Sequence, residues 1–301
     1  KLNMGDRRDQ YSLSFTEPEL LGYPIAAGFD IYDESYQVHG GADYREDQRG
    51  GQIRFGKALS PYVTFRSAYR YQDTNLSDLP WYVNRELRDQ RGSNTTVAAN
   101  YQLERNTLDN YRDPASGQKH RLTLDLAGMG GDNEFVKIGT DSNWYVGFGK
   151  DNRWVFSARL RLDWATAYGS SDDLPLQERF YAGGTNTVRG YDYRDIGPKI
   201  HEYIFCLGDD FAIGGNVREL TTVEMKYKVT DILRLYTFMD SGGVWRDDSD
   251  INFGDIKYSA GIGLGVDVPR MGPFRVDYGI PINPDEDQGS GRLHLTTGFR
   301  F

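Results

Sequence analysis

Apolar and polar residues alternate one for one along most of this chain. In 257–268, Tyr258, Ala260, Ile262, Leu264, Val266 and Val268 share one parity, and Lys257, Ser259, Gly261, Gly263, Gly265 and Asp267 the other. In 153–164, Trp154, Phe156, Ala158, Leu160, Leu162 and Trp164 alternate with Arg153, Ser157, Arg159, Arg161 and Asp163. In 292–301, Leu293, Leu295, Phe299 and Phe301 alternate with Arg292, His294, Thr296, Gly298 and Arg300. Side chains of a strand point to opposite faces in turn, so a period of two predicts strands with one oily and one wet face. No helical stripe of comparable length competes. Such segments number about 13, near 10–17, 25–35, 48–58, 62–72, 95–105, 119–129, 134–148, 153–168, 218–228, 233–245, 257–268, 273–281 and 292–301.

Two all-β architectures produce many alternating strands. A water-soluble sandwich or propeller packs its apolar faces into a core, whereas a transmembrane antiparallel β-barrel turns them to lipid and its polar faces to a lumen. Three features favour the barrel. Most segments reach about ten residues, the length a tilted membrane strand needs, against about five or six in soluble sheets. The wet faces carry Arg, Asp, Lys and many glycines, and aromatics such as Tyr62, Trp144, Trp154, Tyr168 and Trp245 sit near strand ends. Connections also alternate between short (59–61, 150–152, 229–232, 269–273) and long (36–47, 73–94, 169–217, 246–256, 282–291), as in barrels with short turns on one side. A long link at 106–118 and a short one at 130–133 break the pattern. Because an antiparallel sheet closes only with an even number of strands, thirteen strands imply that some are missing, with the N-terminal end the expected place.

Composition narrows the chemistry. The hydrophobic fraction of the 301 residues is 38% and the mean hydropathy is -0.64, and no run approaches the roughly 18–20 apolar residues of a membrane helix. With 44 acidic against 35 basic side chains, the chain lacks the basic surface that nucleic acid requires. A single cysteine, Cys206, excludes an internal disulfide framework. Lys1-Leu2-Asn3-Met4-Gly5-Asp6 has no apolar core of a signal peptide, which implies either a protein that is not exported or a trimmed form. The histidines His39, His120, His201 and His294 show no metal spacing and are expected to be solvated. Gly261-Ile262-Gly263-Leu264-Gly265 imitates a dinucleotide fingerprint but lies within a strand instead of opening a helix. No nucleophile motif is evident, so neither an enzyme nor a cofactor is expected. The acidic runs at 171–173, 247–250 and 285–287 read as solvated loop surface.

One stretch is more than a generic loop. The 169–217 connection contains Arg179-Phe180-Tyr181-Ala182-Gly183-Gly184 and Val188-Arg189-Gly190-Tyr191. Taken alone this is a glycine-punctuated loop. The stretch resembles the lid loop of the BamA and TamA family of outer-membrane assembly factors, with its "FYAGG" start and "VRGF/Y" signature. Asn106-Thr107-Leu108-Asp109-Asn110 with Pro114-Ala115-Ser116-Gly117 resembles that family's "D-x-R-D-N…P…G" turn, Leu108 departing from the usual Arg. Further similarities are Gly214-Gly215-Asn216, Phe238-Met239-Asp240-Ser241-Gly242-Gly243-Val244-Trp245, Met271-Gly272-Pro273-Phe274 and the aromatic-terminated 295–301. Gly197-Pro198-Lys199 resembles the BamA branch.

The resemblance implies a single barrel domain over 1–301, out of a 16-stranded barrel with its first strands and upstream POTRA domains lying outside the chain. It implies a lid folded into the lumen, with Arg189 paired to Glu224 and Asp240. It implies folding and insertion of other barrels at a weak seam between first and last strands, where Gly298 bends the last strand beside Phe299 and Phe301. The implied setting is the outer membrane of a Gram-negative-type bacterium. The implied partners are lipid, unfolded outer-membrane proteins and accessory lipoproteins. A TamA-like factor and a two-partner secretion transporter share barrel and lid; a passive pore has no need of the lid.

Overall fold

The computed structural model describes residues 2–5, 8–38, 44–79, 85–201, 210–268, 272–285 and 289–297. Its strands begin with β1 Leu2–Gly5, β2 Arg8–Glu17, β3 Ala26–Val38, β4 Tyr44–Ser60, β5 Val63–Ser77, β6 Gly92–Asn106, β7 Gly117–Gly131, β8 Phe135–Phe148 and β9 Trp154–Ala167. A long connection follows, carrying the short hairpin β10 Lys199–His201 and β11 Asp210–Ala212. Then come β12 Val217–Lys228, β13 Leu233–Trp245, β14 Lys257–Val268, β15 Gly272–Pro281 and β16 Arg292–Thr297.

Fourteen strands of the described residues form one antiparallel sheet in chain order, with β9 passing to β12 across the long connection. Among the described residues no ladder joins β16 to β1. All the expected segments are strands, and the described residues add one more to the about 13 expected. The addition is β1, four residues paired with β2, too short for alternation to register. The last segment is described through Thr297, and Gly298, Phe299 and Phe301 lie outside the described residues.

The sheet is apolar outside and polar inside. Trp154, Phe156, Leu162, Trp164, Ile262, Leu264, Leu293 and Leu295 are all exposed, Leu295 at 66%. Asp240, Ser259 and Asp277, on the other face, are wholly buried. This inverts the water-soluble sandwich. The β14 glycines serve that inner face: a Cβ at Gly261, Gly263 or Gly265 would strike Phe238, Asp277 or Tyr236.

Three clusters of buried apolar residues lie between the wall and the long connection. Tyr44, Leu76 and Leu79 enclose Leu176, Phe211 and Ile213. Ala98, Ala127, Phe135 and Ala165 enclose Leu174 and Phe180, and Leu220 and Val244 pack on Ala182, Val188, Tyr191 and Ile196. Each cluster joins this loop to a different part of the wall, so the sheet curves around it. The two links that broke the alternation sit at opposite ends, 132–134 with the long loops and 107–116 with the short turns.

Candidate functional site

The inner faces of β12, β13 and β15 place four charged side chains within reach of one another. Alternation brings Glu224 inward on β12, Phe238 and Asp240 on β13, and Arg275 and Asp277 on β15. Into this group comes Arg189 from the loop. Its Nε and Nη2 each donate to one oxygen of Asp240 at 2.7 Å, and its backbone N–H donates to the same carboxylate at 3.1 Å. Nη1 reaches Glu224 at 3.3 Å and Asp277 at 3.4 Å. The guanidinium lies 3.3 Å from the Phe238 ring centre. Arg275 grips Glu224 at 2.6 and 3.0 Å and Asp277 at 2.8 Å.

Arg189 is 1% exposed and Asp240 0%, so neither charge has water to fall back on. Desolvation opposes the Arg189 charge, but the hydrogen bonds and charge of Asp240, with Glu224 behind, raise its pKa above the ordinary value. The parallel fork of a guanidinium on a carboxylate is also the geometry that fixes direction as well as energy. The neighbours of Arg189 complete the seat. Val188 is fully buried in the third apolar cluster. The Tyr191 hydroxyl donates to the Tyr258 carbonyl at 3.1 Å, and burial pushes that phenol up to about 12. Gly190 has φ +96, and a Cβ there would lie 3.0 Å from the Gly279 backbone; one on Gly279 would lie 2.7 Å from Gly190 N. Two facing glycines let the backbones of the loop and the wall touch, where any side chain would collide.

Of the residues singled out in the sequence, Val188, Arg189, Gly190, Tyr191, Glu224 and Asp240 therefore share one site. Asp240 is the main partner of Arg189, while Glu224 is held chiefly by Arg275. Asp277 went unnoticed, although its parity with Arg275 on an alternating strand places it on the inner face. His294, expected to be solvated, is 8% exposed. Its Nε2 accepts from the Gly190 N–H at 2.9 Å, and its Nδ1 lies 2.9 Å from the Thr185 hydroxyl. The ring is a strut between β16 and the loop.

A second anchor was invisible in the sequence. Glu178, in the single helical turn at 176–178, lies 2.9 Å from both Arg70 on β5 and Lys137 on β8. Burial raises the carboxyl's pKa, but Lys137 and Arg70 together hold it below the ordinary value. Nearby Arg179 donates to the carbonyls of Leu174 and Ile213 and pairs with Asp173 at 3.0 Å. The 171–173 run is thus partly structural: Asp173 also contacts Arg246.

The whole of residues 1–301 matches the Omp85 superfamily domain. The chain belongs to the Omp85 superfamily. This Omp85 barrel is 28% identical over 302 residues to the outer membrane protein assembly factor BamA of Nitratidesulfovibrio vulgaris, covering 98% of the chain and 36% of that protein. It is 22% identical to the BamA of Neisseria meningitidis serogroup B, covering 96% of the chain and 41% of that protein. The chain thus spans about two-fifths or less of the length of these relatives. In fold it is similar to BamA from Haemophilus ducreyi lacking POTRA domains 1–3, with a TM-score of 0.84 at 22% identity over 96% of this chain and 61% of that one. The antiparallel barrel expected from alternation is the fold of this neighbour.

Proposed function

We propose that this Omp85 domain is the barrel of an outer-membrane protein assembly factor in a Gram-negative-type bacterium. It folds and inserts other β-barrel proteins along a seam bordered by β16. The observation that carries this reading is Arg189 forked onto Asp240 inside a sheet whose outer face is apolar. A passive pore needs an open lumen, and a pinned lid defeats that purpose. An assembly factor needs a wall stiff enough to hold a strand edge in place, because an unpaired edge templates an incoming strand. Relatives named as assembly factors point to the same activity.

In this reading residues 1–301 act as one barrel domain, 169–217 is its lid, and Val188, Arg189, Gly190 and Tyr191 are the pin that seats on Glu224 and Asp240. Gly298, Phe299 and Phe301 continue β16 into the seam, Gly298 supplying the bend. Lipid surrounds the outer face; unfolded outer-membrane proteins are the substrates, and accessory lipoproteins the companions. The work is done by hydrogen bonds and packing, without bond-making chemistry.

The test is Arg189→Ala in the full-length protein, reconstituted in lipid vesicles and supplied with unfolded substrate barrels. Losing one member of a buried ion pair costs roughly 3–5 kcal/mol. Substrate insertion is expected to fall sharply while the variant itself remains a folded barrel. Insertion at the original rate would overturn the reading.

A further inference from the structure

The lumen beneath the lid is a cavity of about 1300 Å³. Its wall runs from Lys119 on β7 through Tyr145 on β8 and Thr222 on β12 to Thr296 on β16, and the lid tip Thr185–Thr187 covers one side. The opposite side is covered by a second loop, the 107–116 connection between β6 and β7, through Leu108 and the stretch Asn110 to Pro114. Other links at that end, 61–62, 149–153 and 229–232, are shorter turns, and 18–25 is also shorter than this one. This one folds inward and crosses to strands far from its own.

Asp113 makes the crossing. It lies 2.5 Å from Lys226 and 3.4 Å from Lys228 on β12, and 3.1 Å from Arg234 on β13. Lys226 also donates to the Pro114 carbonyl at 3.2 Å. The loop is held in shape for this contact. One Asp109 oxygen accepts from the backbone N–H groups of Asn110, Ala115 and Ser116, and the Asn110 side-chain oxygen accepts from those of Arg112 and Asp113. A rigid loop carrying one carboxylate into three cations is a built contact.

From this geometry we infer that the 107–116 loop seals the turn-side mouth of the lumen and that Asp113 is the residue that keeps it shut. The lid closes the chamber from the loop side and this loop from the turn side, so ions and small solutes do not leak through the protein. The seal is a permeability function, separate from the assembly activity, and it rests on the barrel spanning a membrane.

The experiment places one cysteine at Thr222, which faces the cavity, in a Cys206→Ser background of the full-length protein in planar bilayers and vesicles. A membrane-impermeant thiol reagent is added from the turn side, and channel conductance is recorded in parallel. Asp113→Asn is expected to speed labelling by about tenfold, equivalent to about 1.4 kcal/mol of closure, and to raise conductance; Asp113→Glu is expected to stay near the parent. Unchanged labelling and conductance in a folded, inserted Asp113→Asn protein would overturn the seal. If Asp113→Asn does not fold, Lys226→Met with Lys228→Met carries the same expectation and the same refutation. A parent protein that forms no inserted barrel would sink the membrane reading, and the seal with it. Normal substrate insertion by a leaky Asp113→Asn protein would separate the two functions.

Discussion

Glu178 and Arg189 hold the lid by opposite charges. Glu178 brings a carboxylate to two cations on β5 and β8, and Arg189 brings a cation to three carboxylates on β12, β13 and β15. The lid can therefore seat in one orientation, since a reversed one would set like charges together. Acid should act on the Glu178 end. Its carboxyl is held below the ordinary 4.5 in the folded state, so its contribution is complete above that value and is lost as pH falls through the lowered one. The groups facing it are Arg70, Lys137 and, on β7, Asp125, which lies 3.9 Å from Arg70. Hydrogen exchange at 174–182 should rise on acidification in the parent, and Glu178→Gln should show the raised exchange at neutral pH with little further response to acid. A parent and variant with the same pH profile would show that the carboxylate does not anchor the lid.

The strands were legible in the sequence because each satisfies two environments at once, and that demand writes itself as alternation. From the same rule came the inward parity of Asp240, and Asp277 could have been found beside it. What alternation cannot report is partnership between elements distant in sequence. Arg70, Lys137 and Glu178 meet across separations of 108 and 41 residues, and nothing local marks any of them. His294 was misjudged for a related reason: its parity puts it inside, but its partners Thr185 and Gly190 lie more than 100 residues away in the sequence. At the scale of the element, β16 offers the sharpest test. Among the described residues its only ladder is with β15, over six pairs, and each backbone bond contributes roughly 0.5–1.5 kcal/mol net. A seam only a few bonds wide on its other edge could open thermally. Cysteines at Thr297 and on the facing first strand, in a Cys206→Ser background, should crosslink and stop substrate insertion, with reductant restoring it. Full insertion with the seam locked would reject the gate.

For the whole molecule the inverted arrangement of faces sets the solvent. An apolar outer surface of this extent is stable only against lipid, while the inner face needs its network of charges to be closed off from oil. Leu264, midway along β14 and facing out, should therefore resist charge. Leu264→Arg is expected to cost roughly 2–4 kcal/mol in urea unfolding from vesicles. A cost near zero would mean that this face meets water.

The seat of Arg189 also bears on the order in which the chain can mature. Its contacts lie 35 residues ahead at Glu224, 51 at Asp240, 88 at Asp277, and 104 from Gly190 to His294. Contacts so far apart in sequence form late, because the intervening chain must be ordered first. Until β15 and β16 are in place the lid has only part of its socket, and the Gly190–Gly279 backbone contact does not exist at all. A chain without its final strands would therefore lack part of the socket for Arg189 and Gly190, and only the finished wall supplies all of it.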